Sequence, residues 1–300
     1  MKAMILAAGL GTRLRPLTLN RPKTLVPVCN TPVIDRTLKY LKAYGVSQVV
    51  VNAHHHHEKV VEHFNAGRLF GLEIEIRVER EIMGTGGGIK NTEDFWDPDP
   101  FIVINGDILT DIDLTSVIDA HKKNGALATM TLHDFEPFNQ IQIDDRLNIL
   151  DIAAETHPLR LGFTGIHIIE PELLSLIPEG VYSNIVDCYR RLIGLGGPIK
   201  AYVSNGHYWR DMGTIGSYVL ANKEALRETS FLLGPECDVH DSAILRDWAI
   251  IGEQVCLEEG VEISRSILWE GVKVKKGVRV MDSIVTSSKI VECDLIDRVL

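Results

Sequence analysis

Four side chains in this sequence could handle phosphate and a divalent metal, and each is attached to a glycine-containing segment. Two are cations, Arg13 and Lys23, and two are carboxylates, Asp107 and Asp211. Such a set can bring two polyanions together and stabilise the charge that develops when a phosphorus atom is attacked. The sequence shows no Ser/His/Asp or Cys/His arrangement, which fits direct in-line attack without a covalent intermediate.

The opening stretch of the chain combines an apolar run, a glycine turn and positive charge. Residues 3–8 are apolar and of strand length, and Gly9 and Gly11 follow before the first arginine. A buried strand that ends in a flexible glycine turn presents backbone N–H groups to phosphate. Leu14 stands where a dinucleotide fingerprint needs its third glycine, so that motif is excluded. Lys23 lies twelve positions after Gly11 instead of directly behind it, which excludes a P-loop.

Alternating strand and helix patterns position these residues. Strands are predicted at 46–53, 74–78 and 101–107, with helical spacing between them, which indicates a right-handed, doubly wound α/β sheet. The third of these strands ends in Asn105, Gly106 and Asp107, at the carboxyl end where such sheets bind ligands.

Further strands and helices are predicted beyond this point. A hairpin is predicted around residues 144–146, a strand at 162–169 and a helix at 181–195. Asp211 precedes a glycine turn and a further helix, which Thr214 is well placed to cap.

A second glycine-rich segment lies at residues 83–88, with three consecutive glycines. Such a run is expected where the backbone approaches a ligand closely or adopts positive φ. We therefore predict a second ligand-binding loop here.

From about residue 234 an apolar residue recurs at nearly every sixth position, which is neither a helical nor a hairpin period. It is typical of a hexapeptide-repeat β-helix. We predict a first domain over 1–228 and about three β-helix coils over 234–300. The pattern still runs at residue 300, which we interpret as a truncated end or one covered by a neighbouring subunit. The apolar row consists of Val255, Val261, Ile267, Val272, Val278, Ile284, Ile290 and Ile296.

The composition is that of a soluble globular protein. Three hundred residues, 45% hydrophobic and 24% charged, allow one large or two ordinary domains. The net charge of −10 disfavours nucleic acid and anionic membranes as partners. No apolar run has the length of a membrane span or a signal-peptide core. The five cysteines are scattered without a Cys-x-x-Cys pair, so we expect reduced thiols and a cytoplasmic protein.

Gly-x-Gly-Thr-Arg-x-x-Pro at residues 9–16 and Pro-Lys-x-Leu at residues 22–25 together resemble the signature of the sugar-1-phosphate nucleotidyltransferases, or NDP-sugar pyrophosphorylases. The resemblance covers essentially the whole chain, since several branches carry a hexapeptide tail. It implies the nucleotidyltransferase fold, a Rossmann-like doubly wound mixed sheet, followed by a short left-handed β-helix. It also implies a reversible, Mg²⁺-dependent reaction of an NTP with a sugar 1-phosphate to give an NDP-sugar and pyrophosphate, in a homo-oligomer.

The same resemblance implies roles for individual residues. Lys23 would bridge the α-phosphate and the incoming sugar phosphate, Arg13 would contact the triphosphate, and Asp107 and Asp211 would bind Mg²⁺. The sugar would contact Gly106, Glu155 and Gly165. The residues implied for nucleotide binding are Leu6, Ala8, Gly9, Gly11, Thr12, Arg13, Lys23, Gly86, Gly87 and Asn105.

The sequence departs from the family pattern in two places. Thr156 and His157 interrupt the Glu-Lys-Pro motif, which leaves the second phosphate-binding cation unassigned, with Arg160 and Lys200 as candidates. Gly84 stands where the similar N-acetylmuramate-1-phosphate uridylyltransferases tend to carry glutamate.

Several functions remain open at this level. The hexapeptide tail favours GTP with a mannose or heptose 1-phosphate, and the triple glycine favours UTP or dTTP with an N-acetylmuramate- or glucose-type 1-phosphate; we prefer guanylyl transfer. A catalytically silent regulatory subunit that binds sugar nucleotides would be expected to have lost Lys23 or a metal-binding aspartate. An acyltransferase would need more room than three coils provide, and a histidine inside the repeat after His240.

Overall fold

The computed structural model describes residues 1–65, 69–136, 138–153 and 155–300. Contacts group the chain into a first unit, residues 1–10 and 34–211, and a second unit, residues 11–33 and 212–300. The predicted domain limits, 1–228 and 234–300, stay a prediction.

The part of the chain up to residue 211 contains both strands and helices. In chain order they are β1 (Lys2–Leu6), β2 (Pro27–Val28), β3 (Thr31–Pro32), α1 (Val33–Ala43), β4 (Gln48–Ala53), α2 (His57–Phe64), β5 (Glu73–Val78), α3 (Gly84–Lys90), β6 (Phe101–Asn105), β7 (Ile108–Thr110), α4 (Leu114–Asn124), β8 (Ala128–His133), β9 (Asn139–Ile143), β10 (Ile149–Ile152), β11 (Leu161–Ile169), α5 (Ile185–Gly194), β12 (Ile199–Val203) and β13 (Trp209–Asp211).

The remaining elements are one helix and a series of short strands. They are α6 (Ile215–Ala225), β14 (Phe231–Leu233), β15 (Asp238–Val239), β16 (Ile244–Ile251), β17 (Cys256–Leu257), β18 (Glu262–Leu268), β19 (Lys273–Val274), β20 (Arg279–Met281), β21 (Ile284–Val285), β22 (Ile290–Val291) and β23 (Leu295–Ile296). Within the described residues, no helix has the length and apolarity that crossing a bilayer requires.

The first unit is organised around a nine-stranded mixed sheet. Its main path follows the order β10-β9-β11-β6-β1-β4-β5, and β8 pairs with β11 and β12. β1 lies parallel to β4 and β6, and β5 extends this parallel part, whereas β11 runs antiparallel to β6, β8 and β9. β1, β4 and β6 are almost entirely buried, as expected for parallel strands covered on both faces. The predicted mixed α/β sheet is confirmed.

Two local predictions for the first unit were wrong. The glycine-rich segment 83–88 is not a loop, because Gly84 begins helix α3. Glycine has a low helix propensity, which packing can override, and here the carbonyl of Ser183 accepts two N–H groups of the first turn. The helix predicted over 181–195 begins only at Ile185, because the side chain of Asn184 caps it by accepting the N–H of Val186. The hairpin around 144–146 is present as β9 and β10.

The second unit contains α6 and a parallel β-helix. Two stacks of parallel strands follow the orders β14-β16-β18-β20-β23 and β15-β17-β19-β22, with β21 beside β18. The side chain of Thr214 caps α6 in a capping box with Ser217, as predicted.

The side chains of the predicted apolar row are buried only as far along the chain as Ile284. Ile290 is 58% exposed and Ile296 is 54% exposed, whereas the neighbouring Val291 and Leu295 are buried. Val291 pairs with the buried Val274, and because successive side chains of a strand point to opposite faces, Ile290 points outward.

Candidate active site

The carboxyl ends of β1 and β6 lie side by side in the first unit. Leu6 pairs with Asn105 in the parallel register, and the N–H of Gly106 donates to the carbonyl of Leu6 at 2.9 Å. Both segments therefore leave the sheet at the edge where doubly wound sheets bind ligands. A methyl group on Gly9 would meet no atom within 4 Å, so the backbone there is open to a ligand. The structure thus brings Leu6, Ala8, Gly9 and Asn105 to one edge of the sheet.

The two predicted metal ligands belong to neighbouring segments of the same unit. Asp211 lies in β13, which pairs antiparallel with β7, and its register partner is Ile108, the residue directly after Asp107. Paired Cα atoms in such a ladder are about 4.5–5.5 Å apart, so the backbones of these two segments lie close together; the binding of one ion by both carboxylates stays a prediction. Mg²⁺ is usually bound by one or two carboxylates together with substrate phosphates and water, and this donor set fits that pattern. In the described part of the chain, no cluster of three or more His, Cys, Asp or Glu side chains could hold a metal on its own.

Gly165 lies directly against the side chain of Asn105. Its φ of +79° is in the left-handed region, and a methyl group on it would lie 2.5 Å from Asn105 Nδ2. The preceding Thr164 is fixed from two sides, because its carbonyl accepts from Trp209 Nε1 at 2.8 Å and its hydroxyl donates to the carbonyl of Thr131 at 2.8 Å. A predicted sugar contact and a predicted nucleotide contact are therefore direct neighbours.

Gly86 and Gly87 are packed against the chain segment 181–185. Their N–H groups donate to the carbonyl of Ser183 at 2.8 and 3.1 Å. A methyl group on Gly86 would lie 2.8 Å from Ser183 Oγ, and one on Gly87 would lie 2.9 Å from the carbonyl of Val181. The packing of α3 by itself therefore requires glycine at both positions, and these backbone donors are used within the protein. Their contact with a nucleotide stays a prediction.

Glu155, the predicted sugar-binding acid, and the candidate phosphate-binding cations Arg160 and Lys200 all belong to the first unit. Glu155 is exposed. Arg160 donates to Asp151 at 2.8 Å and to the carbonyl of Gln140 at 2.9 Å, and Lys200 donates to the carbonyl of Arg146 at 3.2 Å. Both cations hold structural contacts, so the second phosphate-binding cation stays unassigned.

The predicted cations Arg13 and Lys23 belong to the second unit, where one loop carries both. Arg13 is exposed and Lys23 is half-buried. Gly11 has a φ of +63°, and a methyl group on it would lie 2.9 Å from Thr18 Cγ2 and 3.3 Å from Lys23 Cβ. The hydroxyl of Thr18 donates to the carbonyl of Gly11 at 2.8 Å. The loop therefore folds back on itself at Gly11, which requires glycine both for its φ and for the close approach.

Helix α6 anchors this loop through residues that were not predicted from the sequence. The hydroxyl of Tyr218 donates to the carbonyl of Pro27 at 2.9 Å and accepts from Trp269 Nε1 at 2.9 Å. Asn222 Oδ1 accepts the N–H of Cys29 at 2.9 Å. Burial raises the pKa of Tyr218, which keeps its hydroxyl protonated and able to donate.

The β-helix contacts the same loop through Arg21. The guanidinium of Arg21 lies 4.8 Å from the ring centre of Trp269 and pairs with the carboxylate of Glu270. It also donates to the hydroxyl of Ser287 at 3.1 Å. Arg21 lies between the two signature motifs, but its partners are separated from it by more than 240 residues, so no local pattern could identify them.

Comparisons with known proteins identify the family and the fold of the chain. The family profile described as nucleotidyl transferase matches residues 2–228. The chain is 30% identical to a UTP–glucose-1-phosphate uridylyltransferase of Synechocystis, over 95% of this chain and 87% of that protein. It is also 30% identical to a mannose-1-phosphate guanylyltransferase of Mycobacterium tuberculosis, over 93% of this chain and 80% of that one. A crystal structure from Bacillus anthracis described as a glucose-1-phosphate thymidylyltransferase superimposes with a TM-score of 0.68 at 26% identity, covering 76% of this chain and 96% of that one.

Proposed function

This chain belongs to the nucleotidyl transferase family and is a sugar-1-phosphate nucleotidyltransferase, and from that premise we propose that it joins GTP to a mannose-type sugar 1-phosphate with the help of Mg²⁺. The products are a GDP-sugar and pyrophosphate. The observation that carries the proposal is the pairing of β7 with β13, which brings Asp107 and Asp211 to neighbouring positions.

The residues of the chain have distinct tasks in this reaction. The sugar phosphate already carries its nucleophilic oxygen, so the protein needs to position two polyanions and not to remove a proton. Arg13 contacts the triphosphate, and Lys23 neutralises charge on the α-phosphate and the sugar phosphate. Asp107 and Asp211 hold Mg²⁺, which, when bound, stabilises charge on the attacked phosphate and the leaving pyrophosphate.

The sugar and base are assigned to neighbouring groups at the sheet edge. Asn105 and Gly165 are direct neighbours, which supports their assignment to adjoining parts of one ligand. Gly106 and Glu155 complete the proposed sugar side, and the backbone of Leu6, Ala8 and Gly9 the proposed nucleotide side.

The second candidate is the same reaction with UTP or dTTP and a glucose- or N-acetylmuramate-type 1-phosphate. The uridylyltransferase relative is as similar to the chain as the guanylyltransferase relative, at 30% identity each. Both matches cover more than 90% of the chain and so extend into the β-helix, and the tail therefore does not separate the two candidates. We place guanylyl transfer first because mannose-1-phosphate guanylyltransferases of Oryza sativa and Arabidopsis thaliana also match 95% of the chain. A catalytically silent regulatory subunit is disfavoured because the chain keeps Lys23, Asp107 and Asp211.

Pyrophosphate release tests the proposal directly. GTP, UTP, dTTP, ATP and CTP are crossed with a panel of sugar 1-phosphates in the presence of Mg²⁺. Asp107→Asn should abolish turnover, and Asp119→Asn, which changes an exposed carboxylate of α4, should leave it unchanged. Turnover with GTP and mannose 1-phosphate supports the proposal, and turnover with UTP or dTTP alone supports the second candidate. No turnover on the whole grid, with sugar nucleotides still binding in calorimetry, would favour a regulatory subunit.

A further inference from the structure

Two buried polar side chains lie beside the sheet edge and have no task in the proposed reaction. β1, β4 and β5 are consecutive parallel strands, so their carboxyl ends meet at the same edge. Asn52 lies near the end of β4 and Glu79 directly follows β5. Asn52 is 2% exposed and Glu79 is 3% exposed. A carboxylate is rarely buried to this extent unless it is hydrogen-bonded.

These side chains connect two glycine segments through an unbroken series of hydrogen bonds. The N–H of Ala7 donates to Asn52 Oδ1 at 2.7 Å, and Asn52 Nδ2 donates to Glu79 Oε1 at 2.7 Å. Glu79 Oε2 accepts the N–H of Met83 at 3.0 Å. The series therefore runs from the residue before Ala8 and Gly9 to the residue before α3.

The chemistry of the series allows only one arrangement of donors and acceptors. A backbone N–H can only donate, so the N–H groups of Ala7 and Met83 each require an acceptor. The amide of Asn52 must therefore turn its oxygen to Ala7 and its nitrogen to Glu79. Glu79 must then accept on both oxygens, which an ionised carboxylate does and an amide does not.

Gly88 of α3 packs directly against the side chains of Asn52 and Glu79. A methyl group on Gly88 would lie 2.7 Å from Asn52 Nδ2 and 2.9 Å from Glu79 Oε1. The backbone of Glu79 is held as well, because its N–H donates to the carbonyl of Ala53 and its carbonyl contacts His54 Nδ1, both at 2.8 Å.

We propose that Asn52 and Glu79 are positioning residues that set the spacing between the segment 7–9 and helix α3, and through that spacing the affinity for the nucleotide. The inference rests on the proposed function in assigning the segment 7–9 to the nucleotide, and on the predicted nucleotide contact of Gly86 and Gly87 in α3. A group that must be held within fractions of an ångström of its ligand depends on such buried supporting bonds.

A reciprocal exchange of the two side chains tests the proposal. Glu79→Gln places an amide N–H against another donor, and Asn52→Asp places two carboxylate oxygens against each other. The double variant N52D/E79Q restores all three hydrogen bonds with the same total charge, because the carboxylate at 52 accepts from Ala7 and from the amide at 79. That amide then turns its oxygen to the N–H of Met83. Tyr189→Phe is the matched control, because it removes a buried hydrogen bond to His167 in the same unit.

Two measurements are made on all variants of the full-length chain. Hydrogen exchange of the Ala7 and Met83 amides shows whether the series of hydrogen bonds is intact. Calorimetric Kd values for the NTPs of the activity grid show whether the affinity for the nucleotide has changed. Each single variant should lose amide protection and raise the nucleotide Kd by about tenfold or more. The double variant should return both to near the wild-type values, and Tyr189→Phe should lower Tm without changing the nucleotide Kd.

The possible outcomes separate this inference from the proposed function. An active wild type whose single variants lose amide protection but bind nucleotide normally would overturn the positioning role and leave the proposed function intact. A double variant as weak as the single ones would overturn the donor–acceptor argument. A wild type that neither binds nor turns over any nucleotide would refute the proposed function, and with it the nucleotide-positioning role, even if the hydrogen-exchange pattern were as expected.

Discussion

Gly165→Ala should damage both stability and activity through one neighbouring side chain, that of Asn105. A non-glycine residue in the left-handed region costs about 1–2 kcal/mol. The added methyl group would also lie 2.5 Å from Asn105 Nδ2 and 2.7 Å from its Cγ, and overpacking of this kind costs about 1–3 kcal/mol. The free energy of unfolding should therefore fall by about 2–5 kcal/mol.

The clash is relieved only if Asn105 moves away by about 1 Å. A displacement of that size in a group that positions substrate costs on the order of 10²-fold in rate. We therefore expect kcat/KM to fall about 100-fold at a temperature where the variant is fully folded. Calorimetry should show a Tm lower by roughly 10 °C.

Gly125→Ala is the control that separates backbone strain from the contact. Gly125 also has positive φ, +63°, but a methyl group there would meet no atom within 4 Å. This variant should lose only the strain component, about 1–2 kcal/mol, and keep the wild-type kcat/KM. Equal kcat/KM values for Gly165→Ala and Gly125→Ala would refute the reasoning, as would purely additive effects of Gly165→Ala and Asn105→Ala on Tm, since residues in contact should couple.

Three further predictions concern the metal, the core and the anchored loop. EDTA should abolish pyrophosphate release, and excess Mg²⁺ should restore it. The Asp211→Asn variant should need about 10–100 times more Mg²⁺ for its half-maximal rate. Activity that persists in EDTA would contradict the metal role. Burial lowers the pKa of His167 to about 3, so between pH 6.5 and 3 the unfolded chain binds a proton that the folded chain does not. Urea unfolding should show this residue costing about 1.4 kcal/mol of stability per pH unit as the pH falls through that window, and His167→Gln should flatten the dependence. Trp269→Phe removes the donor to the buried hydroxyl of Tyr218 and should lower the free energy of unfolding by about 1–2 kcal/mol; an unchanged urea midpoint would count against that anchor.

Features encoded by short stretches of chain could be predicted from the sequence. The glycine turn after residues 3–8, the hairpin around residues 144–146 and the capping of α6 by Thr214 each depend on neighbouring residues only. The alternation of strands and helices likewise indicates a doubly wound sheet, because connection rules leave few other topologies. Asp107 could be singled out because it follows a glycine at a strand end, and Asp211 because it precedes a glycine turn and a helix.

Contacts between distant parts of the chain could not be predicted in this way. The glycine-rich segment 84–88 forms the start of a helix, and Ser183, almost 100 residues later, accepts the N–H groups of Gly86 and Gly87. Ile290 is exposed and Val291 buried because strand pairing selects the register, and a shift of one residue exchanges the two faces.

The sequence by itself therefore determined the α/β and β-helix architecture and the chemical types of the candidate site residues, since these depend on local composition and spacing. It indicated the family through the resemblance of the motifs at residues 9–16 and 22–25 to a known signature. Only the tertiary structure decided which groups support them. It placed Asp211 beside the residue after Asp107, joined Asn52 to Glu79, and set Arg21 against Trp269. Each of these pairs depends on chain segments that are remote in sequence and become neighbours only when the strands pair.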